Sequence, residues 1–122
     1  MHRRLLLRLA SVALAVLIPL TLSTLASAHA ILVHAVPASH ATVTGNAISI
    51  KLQFNVRIDI KRSRIALVQP DKSQQLLAVT ESTPGLLEAQ VSGLKSGDYT
   101  IRWQVLASDG HITQGEIPFK VI

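Results

Sequence analysis

Between Asn46 and Ile58 the chain reads NAISIKLQFNVRI. Ile48, Ile50, Leu52, Phe54, Val56 and Ile58 take every second position, with Ser49, Lys51, Gln53, Asn55 and Arg57 between them. An apolar period of two sets one face of an extended strand against a core and the other in water, whereas a helical face repeats every 3.6 residues. DYTIRWQVLAS repeats the pattern, with Tyr99, Ile101, Trp103 and Val105 on one face and Thr100, Arg102 and Gln104 on the other. AILVHAV, SRIALVQ, SQQLLAVT, GLLEAQV and GEIPFKVI are shorter candidates. Turn signals separate them at Pro37-Ala38-Ser39, Pro70-Asp71-Lys72, Pro84-Gly85, Ser96-Gly97-Asp98 and Asp109-Gly110. Seven closely spaced strands without a helical stretch predict an all-β chain folded as an antiparallel β-sandwich. Trp103, Phe54, Tyr99 and Phe119 fall on the apolar faces and are expected in the core rather than on a binding platform.

The first 28 residues follow another logic. Arg3, Arg4 and Arg8 precede an apolar run from Leu9 to Leu25, and Ala26-Ser27-Ala28 fits the small-residue pattern cut by signal peptidase. A retained membrane anchor is the competing reading of that run; Pro19 and the small-residue exit favour cleavage. The RRLLLR stretch also resembles a twin-arginine signal, so the export route stays open. Cleavage after Ala28 would leave His29–Ile122, 94 of the 122 residues and hence one domain. Three of the 12 basic residues would leave with the leader and all 7 acidic ones would stay, so the net charge falls from +5 to +2. A nucleic-acid partner loses its main support on that count.

The chain has no cysteine, and its one methionine is Met1. The exported domain therefore lacks disulfides, thiolate ligands and every other sulfur donor. RIDIKRSRI gathers Arg57, Lys61, Arg62 and Arg64, which read as a solvated strand edge kept charged against edge-to-edge pairing. Docking to an acidic partner or anionic lipid is the alternative.

Histidine placement carries the chemistry. Cleavage after Ala28 would give His29 a free α-amine beside its imidazole. The amine nitrogen, Cα, Cβ, Cγ and Nδ1 then close a six-membered chelate ring on a metal, which no internal histidine can do. In SDGHITQG, Asp109 and His111 lie two apart, so that in extended backbone both side chains leave on one side. Asp-Gly between two alternating stretches is also a standard hairpin signal, and on spacing alone a turn ranks above a site. Together His29, Asp109 and His111 offer a nitrogen and oxygen donor set suited to tetragonal Cu(II), and without sulfur a Cu(I) site is not expected. His34, on the opposite strand face from His29, and His40, in the loop after Pro37, remain open as surface residues, structural hydrogen-bonders or auxiliary ligands.

HAILVHAVPASHATV directly after the leader, with YTIRWQVLASDGHITQGEIPFKV at the end, resembles the CopC/PcoC family of periplasmic copper-binding proteins over essentially the whole mature chain. The resemblance implies a Greek-key β-sandwich or barrel, cupredoxin-like or immunoglobulin-like. It also implies Cu(II) held by the N-terminal histidine through amine and imidazole and by the histidine of an Asp-Gly-His motif, with a contribution from its aspartate. Carried onto this chain these are His29, His111 and Asp109. The family's Phe-Ser-Glu-Pro-type segment, whose glutamate lies near copper, appears here as FNVRID with Val56 in that place. The methionine-rich loop of Cu(I)-binding members is absent. The usual Pro-Ala-Asp-Gly-Ala is PASHA, with His40 where glycine stands. These departures place the chain with Cu(II)-only members and leave the fourth ligand open.

The function expected is that of a periplasmic, non-enzymatic Cu(II) carrier or buffer, monomeric, passing copper to a membrane transporter of the CopD type that the resemblance implies. Two other readings stand beside it. One is an oxidative copper enzyme with an N-terminal histidine brace, which would need a broad aromatic substrate face. The other is a metal-free immunoglobulin-like adhesion module.

Overall fold

In a computed structural model, which describes residues 29–122, the alternating stretches become strands of two facing sheets. In chain order they are β1 (Leu32–Val36), β2 (Ala41–Val43), β3 (Ile48–Phe54), β4 (Arg64–Val68), β5 (Gln74–Leu77), β6 (Thr80–Glu81), β7 (Leu86–Val91), β8 (Gly97–Leu106) and β9 (Ile112–Val121), with a 3-10 turn at Ile60–Arg62. One sheet has the order β1-β3-β7-β6 and the other β2-β9-β8-β4-β5. Both stay open, so the architecture is a sandwich rather than a closed barrel. The proposed leader lies outside the described residues.

The inward positions are those the period of two marks out. Ile50, Leu52 and Phe54 on β3 and Leu87, Ala89 and Val91 on β7 face Ile65 and Leu67 on β4, Tyr99, Ile101, Trp103 and Val105 on β8, and Ile117, Phe119 and Val121 on β9. Trp103 meets Phe54 edge-on at 5.1 Å between ring centroids. It also lies flat over its cross-strand partner Gly115, where a Cβ would fall 2.5 Å from the indole. Only glycine leaves room for that ring. The Tyr99 hydroxyl donates to the Lys95 carbonyl at 2.9 Å and accepts from the Lys95 N–H at 3.0 Å, tying a strand start to the preceding loop as Greek-key sandwiches do. All four aromatic residues lie in the core, which leaves no aromatic substrate face among the described residues.

The structure departs from the strand pattern at three places. The long alternation at 46–58 ends as a strand at Phe54, because Asn55 turns its side chain and its N–H to the incoming N-terminal segment. SQQLLAVT divides between the sheets, β5 pairing with β4 and β6 with β7. Ala41–Val43 forms a strand that the short segment after the Pro37 turn did not announce, and it pairs with β9 in parallel, the one parallel ladder among the described strands. The basic residues Arg57, Lys61, Arg62 and Arg64 are all exposed, with Arg62 3.9 Å from Asp59. Two non-glycine residues, His40 (φ 64°) and Lys72 (φ 74°), hold left-handed backbone, which costs an L-residue about 1–2 kcal/mol.

Candidate metal centre

The longest ladder among the described strands, β8 with β9, runs to its last pair at Leu106 and Ile112, and the connecting loop stands at one end of the sandwich. The Ala107 carbonyl accepts from the Gly110 N–H at 3.0 Å, and the Ala107 N–H donates to the His111 carbonyl at 2.9 Å, so the loop is a closed turn. Gly110 takes φ 86°, which glycine adopts at no steric cost. The Asp109 Oδ1 accepts from the His111 N–H at 3.0 Å, and its Oδ2 lies 2.8 Å from His111 Nδ1. Asp109 and His111 are thus brought together by an Asx turn, the turn that Asp-Gly favoured, rather than by extended backbone. The turn and the cluster are one structure.

His29 arrives from the other sheet. Its neighbour Ala30 is 1% exposed, anchored in the core. Ile31 donates its N–H to Asn55 Oδ1 at 2.7 Å and accepts from the Asn55 N–H at 3.1 Å. These two bonds and one buried methyl fix the chain just beyond His29 beside the end of β3. His29 Nδ1 then lies 4.0 Å from Asp109 Oδ2, and its ring meets that of His111 edge-on at 4.5 Å between centroids. One ligand atom from each of His29, Asp109 and His111 falls within 4.8 Å of the others.

The loop is braced from below. Ile58 bridges to Ala107, the Asp59 N–H donates to the Leu106 carbonyl at 2.8 Å, and the buried Ser63 hydroxyl accepts from the Leu106 N–H while donating to the Asp59 carbonyl. Asn55 and Ser63 are therefore positioning residues that sequence reasoning missed, one read as an outward strand residue and the other as part of a charged edge. Nothing local distinguishes them, since their partners lie 24 and 43 residues away.

Electrostatics suit the cluster to a cation. The His111 backbone N–H, then the His111 side chain and the charges of His111 and His29, hold the Asp109 carboxyl below the ordinary carboxylate range, with partial desolvation opposing them. The carboxylate stays ionised and presents an acceptor-only group between two imidazoles. Side-chain exposure of 54% at His29 and 63% at His111 leaves the donors open to an incoming ion, while Asp109 beneath them is 22% exposed. His34 is not among them: it pairs with Gln53 on the outer face of the β1–β3 ladder after a bulge. His40 bonds to Pro118, about 20 Å along β9 from the loop at a strand rise near 3.3 Å per residue.

A small two-sheet sandwich with an exposed histidine and aspartate cluster at one pole is the class these features define. The CopC domain family model matches residues 32–122, and the chain belongs to that family. The match takes in Asp109 and His111 and begins three residues after His29. The fold is similar to CopC from Methylosinus trichosporium OB3b, with 28% identity, a TM-score of 0.69, and coverage of 76% of this chain and 93% of that one. It is similar also to PcoC, a methionine-rich copper resistance protein from Escherichia coli, with 24% identity, a TM-score of 0.62, and coverage of 77% and 99%. In sequence it is 31% identical over 99 residues to Protein YobA of Escherichia coli K12, covering 77% of this chain and 79% of that protein.

Proposed function

We propose that the exported, processed chain is a periplasmic copper-binding protein that carries or buffers Cu(II) and surrenders it to a membrane transporter of the CopD type. Copper is its cargo, and no bond-making step is assigned to the protein. Cleavage after Ala28 would give His29 an α-amine, which with its imidazole grips the ion as a chelate. His111 supplies a second imidazole, and Asp109 orients His111 and lends negative charge. The donor set fits a cupric ion: nitrogen and carboxylate oxygen without sulfur, under an affinity order that places Cu(II) above Zn(II).

The observation that carries the reading is the convergence of His29, Asp109 and His111 within 4.8 Å, from segments 80 residues apart in the chain. The family membership supports it, as does the fold shared with PcoC, a copper resistance protein. A Cu(II) titration of the exported protein, with its N-terminus sequenced, tests it. One tight equivalent on a chain that begins at His29 is expected. A chain that begins elsewhere, or one that leaves Cu(II) free, overturns the proposal.

A further inference from the structure

Away from the metal centre, the loop between β1 and β2, the β4–β5 turn and the paired ends of β8 and β9 line a half-open surface cavity of about 360 Å³. His40, Thr42, Lys72, Asp98, Thr100 and Lys120 are among the residues lining it. Seven residues with left-handed φ are found in the described chain, and five are glycines. The other two are His40 and Lys72, and both line this one cavity. Side chains persist in that region of backbone only where the surroundings hold them there, a pattern associated with functional sites.

The backbone does not explain the choice of side chain. His40 donates its N–H to the Pro118 carbonyl, and Lys72 donates its own to the Gln69 carbonyl; glycine would make both bonds. What these side chains add is an imidazole and an ammonium, joined by the Lys120 ammonium on β9. The Thr42 and Thr100 hydroxyls are further donors. Asp98, opposite Lys120 in the β8–β9 register, is the one acid on the wall. No ion pair within 4.0 Å joins it to Lys72, Lys120 or His40 among the described residues. The walls are firm: Pro70 packs on Gly97 so closely that a Cβ there would lie 2.7 Å from the proline ring, and the Asp71 carboxylate holds the turn through the N–H and hydroxyl of Ser73.

We propose that this cavity binds a small oxyanion, a phosphate either free or carried as a monoester group, between His40, Lys72 and Lys120. Two ammonium groups against one carboxylate disfavour a metal cation there and favour a dianion. The test is calorimetric titration of the purified protein with inorganic phosphate, ionic strength held constant with chloride. Saturable binding is expected. His40→Gly and Lys72→Gly, which relieve left-handed strain and so unfold at the parent temperature or above, should each bind roughly three- to fivefold more weakly, as expected for partly exposed charge contacts. Asp98→Asn should bind more tightly. Sedimentation with phosphatidic acid vesicles separates the sources: capture that the two glycine variants lose identifies a lipid headgroup as ligand, and phosphate binding without capture identifies a free anion. Absence of saturable phosphate heat, or affinity unchanged in both glycine variants, overturns the proposal.

Discussion

In the proposed site His29 acts through two nitrogens only if it is the first residue, so that site leans most heavily on the α-amine. A variant carrying one extra residue before His29 keeps every side chain yet opens the six-membered ring; it should lose most of its Cu(II) affinity in a competition titration. His111→Ala should weaken binding more than His34→Ala or His40→Ala, since neither of the latter lies in the cluster. Asp109→Asn retains an oxygen for the His111 N–H but loses the charge, so the Cu(II) electron paramagnetic resonance spectrum should shift modestly. His40 has its own significance at this scale. It fills a left-handed position, the kind of conformation for which glycine is the ordinary solution, and PASHA showed the exchange without showing the backbone angle that makes it costly.

Among the elements, the β8–β9 hairpin and the segment entering β1 decide whether the cluster exists. Asn55 is the clasp between that segment and the end of β3. Asn55→Ala removes the side-chain acceptor for the Ile31 N–H and should lower the unfolding free energy by about 1 kcal/mol, with a parallel loss of Cu(II) affinity, in denaturant melts and metal titrations. Gly115→Ala drives a methyl group into Trp103 and should cost about 1–3 kcal/mol in the same melts. The strands themselves were legible because burial on one face imposes a period of two that no other structure shares. The core faces of β3 and β8 follow from it residue by residue. Strand ends were less legible, since Asn55 ends β3 by bonding to Ile31, and the sheet switch within SQQLLAVT depends on partners far along the chain. The Asp-Gly-His segment was legible as turn and as ligand pair, and only the Asx geometry shows that it is both. Ser63 was invisible because its worth lies wholly in Leu106 and Asp59.

For the molecule as a whole, two acid responses are expected from different groups. The proposed copper binding requires a deprotonated amine and imidazoles, so apparent Cu(II) affinity should fall on acidification as protons compete with the ion. The copper-free fold responds lower. Ser73, by its hydroxyl and then its N–H, holds the Asp71 carboxyl below its ordinary value, and Asp109 is lowered as well. A folded-state pKa below the unfolded one stabilises the fold above the ordinary carboxylate pKa, and that contribution is lost as pH falls through the folded value. The thermal midpoint should therefore decline below about pH 4, and Asp71→Asn should flatten the decline.

The burial of Ala30 and the clamp on Ile31 also set an order of events. Under the proposed processing the residues just downstream of the cut are those the folded domain buries and hydrogen-bonds, which withdraws them from a peptidase. Trimming under that processing is expected to be easiest before this end docks beside β3.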